Sequence, residues 1–142
     1  MNKAGVPKEK IKQVYVSFIR PVLDYLCSAY HSMLTGDQTE DLERIQRRCL
    51  KSIYGTEKSY GDCIDASWLE RLSDRRQRIL EKFATKAYES ARFGRTWFKE
   101  RPPSGYPLRR ERIVAEGAAR CDRLHQAPLA VMRRLMNDKI NE

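Results

Sequence analysis

Apolar residues recur every three or four positions through most of this sequence, which is the spacing of one face of an α-helix. The pattern predicts helices over Pro7 to about Tyr30, about Thr39 to Tyr54, Ser73 to about Arg92, and Pro128 to about Asn137. No stretch alternates between apolar and polar residues for long enough to predict a β-strand. The predicted fold class is therefore all-α, an irregular bundle of about four to six helices.

The same spacing predicts which side of each helix is buried. Pro21 lies inside the first helix and predicts a kink or two abutting helices there. The predicted buried stripe of the second helix consists of Leu42, Ile45, Cys49 and Ile53. The predicted buried face of the third helix consists of Ile79, Leu80, Phe83, Ala84, Ala87, Tyr88 and Ala91.

The chain has 142 residues, which is a common size for one domain. Residues 1–93 are predicted to form the helical core. Residues 94–107 contain Trp97 and several prolines, and they are predicted to form an extended linker. Residues 108–142 are predicted to form a C-terminal helical segment that packs on or beside the core and ends in a short helix.

The charge of the chain is strongly positive. It has 28 Lys and Arg residues against 19 Asp and Glu residues, which leaves a net charge of +9. A basic balance of this size is typical of proteins that bind nucleic acid, although it also serves simple solubility. The positions of the charges decide between these two interpretations.

The basic residues of two helices fall in rows opposite the predicted apolar stripes. The first ridge, on the second helix, consists of Arg44, Arg47, Arg48 and Lys51. The second ridge, on the third helix, consists of Arg75, Arg78, Lys82 and Lys86. A merely solvated face normally mixes both charge signs, whereas these rows contain little acid. They favour binding to a polyanion through phosphate contacts, which carry no base-sequence information.

Arg76 differs from the ridge residues because it points into the apolar side of its helix. A charge in that position needs a partner, or its stem must extend past the edge of the core. Asp24, between Leu23 and Tyr25 of the first helix, is the predicted partner. A structural ion pair is the favoured interpretation, ahead of any catalytic use.

The sequence contains no recognisable catalytic, metal or cofactor motif. Cys121 and His125 have the spacing of half a zinc site, but no second pair follows, so free and partly buried thiols are predicted. The first residues do not form a signal peptide, and no apolar stretch approaches a membrane span. We therefore expect an intracellular protein, nuclear or cytoplasmic, with no membrane partner and no cofactor.

Four segments of the sequence, in their order along the chain, resemble one known family. They are Tyr-x-x-Phe-Ile-Arg-Pro-Val-Leu-Asp-Tyr at 15–25, Leu-Glu-Arg-Ile-Gln-Arg-Arg at 42–48, Leu-x-x-Arg-Arg at 72–76 with Lys-Phe-Ala at 82–84, and Ala-Pro-Leu-x-x-Met-Arg-Arg-Leu-Met-Asn at 127–137. They look like the reverse transcriptases of non-LTR retrotransposons, in the thumb and the segment that follows the polymerase.

The resemblance implies a helical thumb that grips a template–primer duplex. In such enzymes the metal-binding aspartates belong to the palm, and this chain begins where the family leaves the palm. The resemblance therefore implies a non-catalytic fragment, with an RNA–DNA or other duplex as its partner and the missing polymerase palm as a further one. Two alternatives are a helical protein–protein scaffold with basic faces and a nonfunctional remnant of a gene.

Overall fold

The computed structural model describes residues 5–102, 105, 113–116 and 121–141. Its α-helices are α1 Lys8–Val14, α2 Arg20–Asp24, α3 Cys27–Tyr30, α4 Gly36–Tyr54, α5 Tyr60–Ser67, α6 Leu72–Glu89, α7 Gly94–Trp97, α8 Asp122–His125 and α9 Pro128–Ile140. These residues contain no β-sheet, and the only extended pairing among them is an isolated antiparallel bridge between Glu100 and Val114. The predicted all-α class is confirmed for this part of the chain. None of its helices is both long and apolar enough to cross a membrane.

The break predicted at Pro21 takes the form of a π turn. Residues Tyr15–Ile19 are wound as a π-helix between α1 and α2. The N–H of Arg20 donates to the carbonyl of Tyr15, five residues earlier. Because Pro21 has no N–H and its ring would clash with the carbonyl four residues earlier in an α-helix, the wider turn admits the proline while the helical path continues.

The helix α4 starts earlier than predicted, at Gly36. The Thr35 hydroxyl accepts a hydrogen bond from the Gln38 N–H at 3.2 Å, and the Gln38 side chain accepts one from the Thr35 N–H at 3.0 Å. This reciprocal cap satisfies two N–H groups at the start of the helix. The helix ends before Gly55, whose φ of 113° suits glycine.

The buried face of α4 is not the predicted stripe. Its buried residues are Glu43, Gln46, Leu50 and Ile53. Ile45, predicted to be buried, is 43% exposed. On a wheel of 100° per residue, the buried face is rotated by roughly 75° from the prediction, toward the first ridge. The cause is a buried hydrogen-bond network, described below, that draws two polar side chains inward.

The chain divides into two compact units. The first unit comprises the residues up to Cys27 together with Leu34–Arg76. Its core cluster consists of Tyr15, Leu50, Ile53 and Cys63. The second unit comprises Ser28–Met33 together with the residues from Gln77 onward. The division falls inside α6, whereas the sequence prediction placed the end of the core at residue 93.

The second unit has an apolar core that includes the C-terminal helix. Its buried cluster consists of Leu80, Ala84, Ala87, Phe98, Val114, Met132 and Met136. Residues 94–97, predicted to open an extended linker, form α7 instead. Gly94 permits this turn, since a Cβ there would lie 2.5 Å from the Tyr88 carbonyl oxygen. The later linker positions 103–104 and 106–107 lie outside the described residues.

Candidate nucleic-acid interface

The first ridge lies on α4, next to the buried face of that helix. Arg44 and Arg48 are exposed, whereas Arg47 and Lys51 are half-buried. The rotation of the buried face toward the ridge accounts for this difference, because it brings Arg47 and Lys51 closer to the core. The four side chains therefore present a cationic edge to the surface of the first unit.

Two of the four ridge residues have acidic partners. Arg44 Nη1 lies 2.9 Å from Asp41 Oδ1, and Arg47 Nη2 lies 2.8 Å from Glu40 Oε1. Exposed pairs of this kind contribute little to stability, so a phosphate can compete for either guanidinium. Arg48 and Lys51 have no acidic partner within ion-pair distance among the described residues.

The aromatic ring of Tyr60 connects the first ridge to an arginine that the sequence reasoning missed. The guanidinium carbon of Arg47 lies 5.2 Å from the centre of this ring, and that of Arg71 lies 6.0 Å from it. Both are cation–π contacts. Arg71 precedes the predicted start of the third helix, and no spacing in the sequence relates it to Arg47. Only the packing of α5 against α4 brings the two cations to one ring.

Beneath this ring, a carboxylate and an amide are buried in the first unit. The Tyr60 hydroxyl donates to Glu43 Oε2 at 2.6 Å and accepts from Gln46 Nε2 at 3.1 Å. The other oxygen of Glu43 accepts from the Ser73 N–H at 2.7 Å, near the start of α6. The Tyr15 hydroxyl donates to Gln46 Oε1 at 2.6 Å. The network thus joins α4, α5, α6 and the π turn.

The two tyrosines of this network hold their protons strongly. Burial raises the pKa of Tyr15 above its ordinary value. Burial also raises the pKa of Tyr60, and the hydrogen bond to Glu43 raises it further. Both phenols therefore remain neutral donors over the physiological pH range. The hydrogen bonds that hold the Tyr60 ring beside Arg47 and Arg71 should not change over that range.

Arg75, assigned to the second ridge from the sequence, has two acidic partners in the first unit. Its Nε lies 2.6 Å from Asp24 Oδ2, and its Nη1 lies 3.1 Å from Glu70 Oε1. Burial lowers the pKa of Arg75, but the bonds to these two carboxylates raise it more. The predicted ion pair between Asp24 and Arg76 is therefore wrong, because Asp24 pairs with the neighbouring arginine.

Arg76 is buried, as its position in the sequence predicted, with 0% of its surface exposed. None of its three side-chain nitrogens has a hydrogen-bond partner among the described residues. Adjacent residues on a helix point about 100° apart, so the choice between Arg75 and Arg76 as partner of Asp24 depends on how the first helix packs. The sequence pattern does not contain that information.

The rest of the second ridge lies in the second unit. Arg78, Lys82 and Lys86 are all exposed on α6. Within the described residues, Lys82 and Lys86 have no acidic partner. The second ridge is therefore divided, with Arg75 neutralised in the first unit and the other three cations exposed in the second.

Trp68 is a second feature that the sequence reasoning missed. It ends α5 in the left-handed region, at φ 56° and ψ 31°, and it is 92% exposed. A bulky residue with positive φ is an outlier. The position is one that glycine usually occupies at a helix end, and nothing in the linear pattern distinguishes Trp68 from a core tryptophan.

Cys121 and His125, which have the sequence spacing of half a zinc site, are not paired with further metal ligands among the described residues. Cys121 is exposed and free. His125 accepts a hydrogen bond through its carbonyl from Arg134 Nη2 at 2.6 Å, and its Nδ1 contacts Arg134 Nη1. The part of the chain that the structure describes holds no group of three residues arranged to bind a metal ion.

Comparisons with known proteins do not extend this description. The chain matches no protein-family model, and neither a curated protein nor a solved structure is significantly similar to it. The resemblance to retrotransposon reverse transcriptases therefore rests on the four sequence segments alone.

Proposed function

We propose that the chain is a non-catalytic, helical nucleic-acid-binding module that contacts the phosphates of a duplex through its two ridges. The observation that carries the proposal is the set of ridge cations without an acidic partner among the described residues: Arg48, Lys51, Lys82 and Lys86. A phosphate that meets these groups displaces only water and counterions, and does not have to break an ion pair.

The overall charge and the sequence resemblance support the same function. A net charge of +9 attracts a polyanion over long distances. The four segments that resemble a retrotransposon reverse transcriptase include three of the four residues of the first ridge and two of the four residues of the second. The thumb of such an enzyme grips a template–primer duplex. We propose that this chain is such a thumb region, and that catalysis belongs to a palm that the sequence does not include.

The contacts around Tyr60 refine the proposal for the first unit. Arg47 and Arg71 each make a cation–π contact with the Tyr60 ring, whose hydroxyl is hydrogen-bonded to Glu43 and Gln46. A guanidinium that stacks on a fixed ring loses less rotational freedom when it binds a phosphate. We therefore add Arg71 to the first ridge as a phosphate-binding residue.

The experiment is a salt series of binding constants, measured by fluorescence anisotropy with a DNA duplex and an RNA–DNA duplex of unrelated sequences. On B-DNA, log affinity should fall with log salt by about 0.9 for each neutralised phosphate. The double variants Arg48→Glu with Lys51→Glu, and Lys82→Glu with Lys86→Glu, should each weaken binding to every duplex. Each should also flatten the slope by about 1.8, because two contacts are lost.

The matched control is Lys8→Glu with Lys10→Glu, which makes the same change in net charge at two exposed residues of α1. It should lower the affinity less and leave the slope as it was. A control that weakens binding as much as the ridge variants would show that only net charge matters, and would overturn the assignment of the ridges. Nucleotide incorporation by the pure protein with Mg²⁺ would overturn the non-catalytic assignment.

A further inference from the structure

The first helical run of the chain presents apolar side chains to solvent on the side away from the core. Tyr15 of the π turn is 1% exposed and faces the network, whereas Phe18, three residues on, is 71% exposed. We call the exposed set the apolar face: Val14, Phe18, Ile19, Val22, Tyr25 and Leu26. A monomeric protein rarely exposes so many large apolar groups together.

The π turn aligns the centre of this face. In a regular α-helix, residues four apart drift by about 40° around the axis at each step. A π turn rotates less per residue, so the step from Val14 to Phe18 and the step from Phe18 to Val22 both return close to the same line. The three side chains therefore form a straight row, and each is more than half exposed.

An apolar groove lies directly beside the row. It has a volume of about 300 Å³, and Val14 and Ile19 belong to both the face and the groove. The other lining residues come from α1, the π turn and α4: Ile11, Tyr15, Arg48, Cys49, Ser52 and Ile53. Burial raises the pKa of the Cys49 thiol, which keeps it protonated and apolar. The groove is therefore fitted to an uncharged side chain, with Arg48 as its one charged lining residue.

We propose that two copies of this chain associate through the apolar face, with Phe18 of each copy in the groove of the other. A projecting side chain and a cavity that would take it lie on one surface of the same chain. This is the requirement for a two-fold symmetric interface, in which one patch meets its own copy. The proposal does not rest on nucleic-acid binding, although Arg48 belongs both to the groove and to the first ridge.

The size and charge of the face favour a second copy over a small ligand. Its six side chains present on the order of 700 Å² to solvent, close to the roughly 800 Å² that each partner contributes to a standard protein interface. None of the six is charged, so a charged partner has nothing on the face to recognise. The net positive charge of the chain makes two copies repel at long range, but physiological salt screens this repulsion beyond about 8 Å.

The test is sedimentation equilibrium of the full chain at physiological salt over a series of concentrations. The wild-type protein should show a reversible monomer–dimer equilibrium. Phe18→Asp and, separately, Val22→Asp should each raise the dissociation constant by about thirtyfold or more, as expected for a central interface residue. Both residues are more than 70% exposed, so neither change disturbs the core, and circular dichroism should show unchanged helix content.

Two further variants make the geometry testable. Trp68→Asp changes an aromatic side chain that is 92% exposed and lies outside the face, and it should leave the dimer intact. Phe18→Cys brings a thiol to the groove of the other copy, so a mild oxidant should join it to the partner's Cys49, identified by peptide mass spectrometry. Cys49→Ser in the same chain should abolish that cross-link.

Three results would overturn the proposal. One is a protein that stays monomeric at every concentration. Another is a dimer that persists in both aspartate variants, which would place the interface elsewhere. The third is a monomer whose binding to anionic lipid vesicles depends on Phe18, which would assign the face to a membrane surface.

Discussion

The interiors of the two units differ in polarity. In the first unit, the buried side of α4 contains Glu43 and Gln46, which hydrogen-bond to two tyrosines and to the backbone of other elements. In the second unit, the buried part of α6 is apolar from Leu80 onward. Among the described residues of this unit, the one buried side-chain amide is Asn137, which hydrogen-bonds to both backbone groups of Val114 and donates to the Glu116 carboxylate.

The first unit also contains most of the features that oppose stability among the described residues, although the buried Ser32 hydroxyl of the second unit has no hydrogen-bond partner there either. Arg76 is buried without a hydrogen-bond partner among the described residues, and both non-glycine residues with positive φ in the described chain, Leu26 and Trp68, belong to it. In the second unit, Gly94 occupies a position where a Cβ would lie 2.5 Å from the Tyr88 carbonyl oxygen, so the absence of a side chain avoids a clash there. Locally unfavourable features often occur where a surface has a function, so their number in the first unit supports the proposal that this unit carries a binding surface.

Loss of the buried hydrogen-bond network should have the largest effect on the stability of the first unit. Gln46→Leu keeps a similar volume but removes both hydrogen-bonding groups, which leaves the Tyr15 hydroxyl and the Glu70 carbonyl without this partner. At about 1–3 kcal/mol for each unpaired buried group, the free energy of unfolding should fall by about 3–5 kcal/mol. Urea unfolding followed by circular dichroism measures the loss.

Two variants serve as comparisons for Gln46→Leu. Met132→Leu, a swap of similar volume in the second unit's core, should cost less than about 1.5 kcal/mol. Gln13→Leu, at an exposed glutamine of α1, should change stability by no more than about 0.5 kcal/mol. If Gln46→Leu costs no more than these, the polar interior of the first unit does not hold it together.

Substitution of Arg76 should give the next largest change in the free energy of unfolding, and the direction of that change is what the experiment tests. Arg76→Met keeps a long side chain but removes a buried charge that has no hydrogen-bond partner among the described residues. Replacement of buried charges by well-packed apolar groups is often stabilising by about 1–4 kcal/mol, so the variant should unfold at higher urea. A lower unfolding midpoint would show that the guanidinium contributes favourably, and the contrast between the units would weaken.

The pH dependence of unfolding tests the two network tyrosines. Above pH 10, their ordinary pKa, the unfolded chain releases the phenolic protons that the folded chain retains, so stability falls as pH rises. Each tyrosine contributes about 1.4 kcal/mol per pH unit. Tyr60→Phe should therefore make the decline shallower by about that amount in urea unfolding above pH 10. Near pH 7 the two proteins should show the same slope, and a shared slope above pH 10 would contradict the burial of this phenol.

The smallest effect concerns Trp68. Trp68→Gly removes a side chain that is 92% exposed and leaves a residue that adopts positive φ without strain. Since the left-handed conformation costs other residues roughly 1–2 kcal/mol, the variant should be about 1 kcal/mol more stable in thermal unfolding. A loss of stability would mean that the tryptophan side chain packs against the fold and that its positive φ does not strain the first unit.

The sequence pattern predicted what depends on local rules. The all-α class follows from apolar periodicity, the end of α4 at Tyr54 follows from Gly55, and the burial of Arg76 follows from its place among apolar neighbours. The pattern failed where tertiary contacts override polarity. Gln46 is inside because two tyrosines from distant segments reach it, and no single helix records that contact.

The candidate site shows the same division. The spacing of the ridge residues on α4 could be read from the sequence. Which of them pair with an acidic residue could be read only in part. The acids that meet Arg44 and Arg47 lie three and seven residues away on the same helix. Of the two acids that pair with Arg75, Glu70 lies five residues away but Asp24 lies 51 residues away, and the ring that contacts Arg71 belongs to α5. Contacts of that kind are set by packing.

The π turn at Tyr15–Ile19 has a consequence for how this helix tolerates insertion and deletion. A π turn is a helix with one residue more than an α turn needs, and here that extra residue makes room for Pro21. Deletion of one residue from the turn would force the proline into a regular α-helix, and replacement of the proline alone would leave a surplus residue. The extra residue and Pro21 compensate for each other. Deletion of one turn residue together with replacement of Pro21 should therefore preserve the helical register on both sides, whereas either change alone should disturb it.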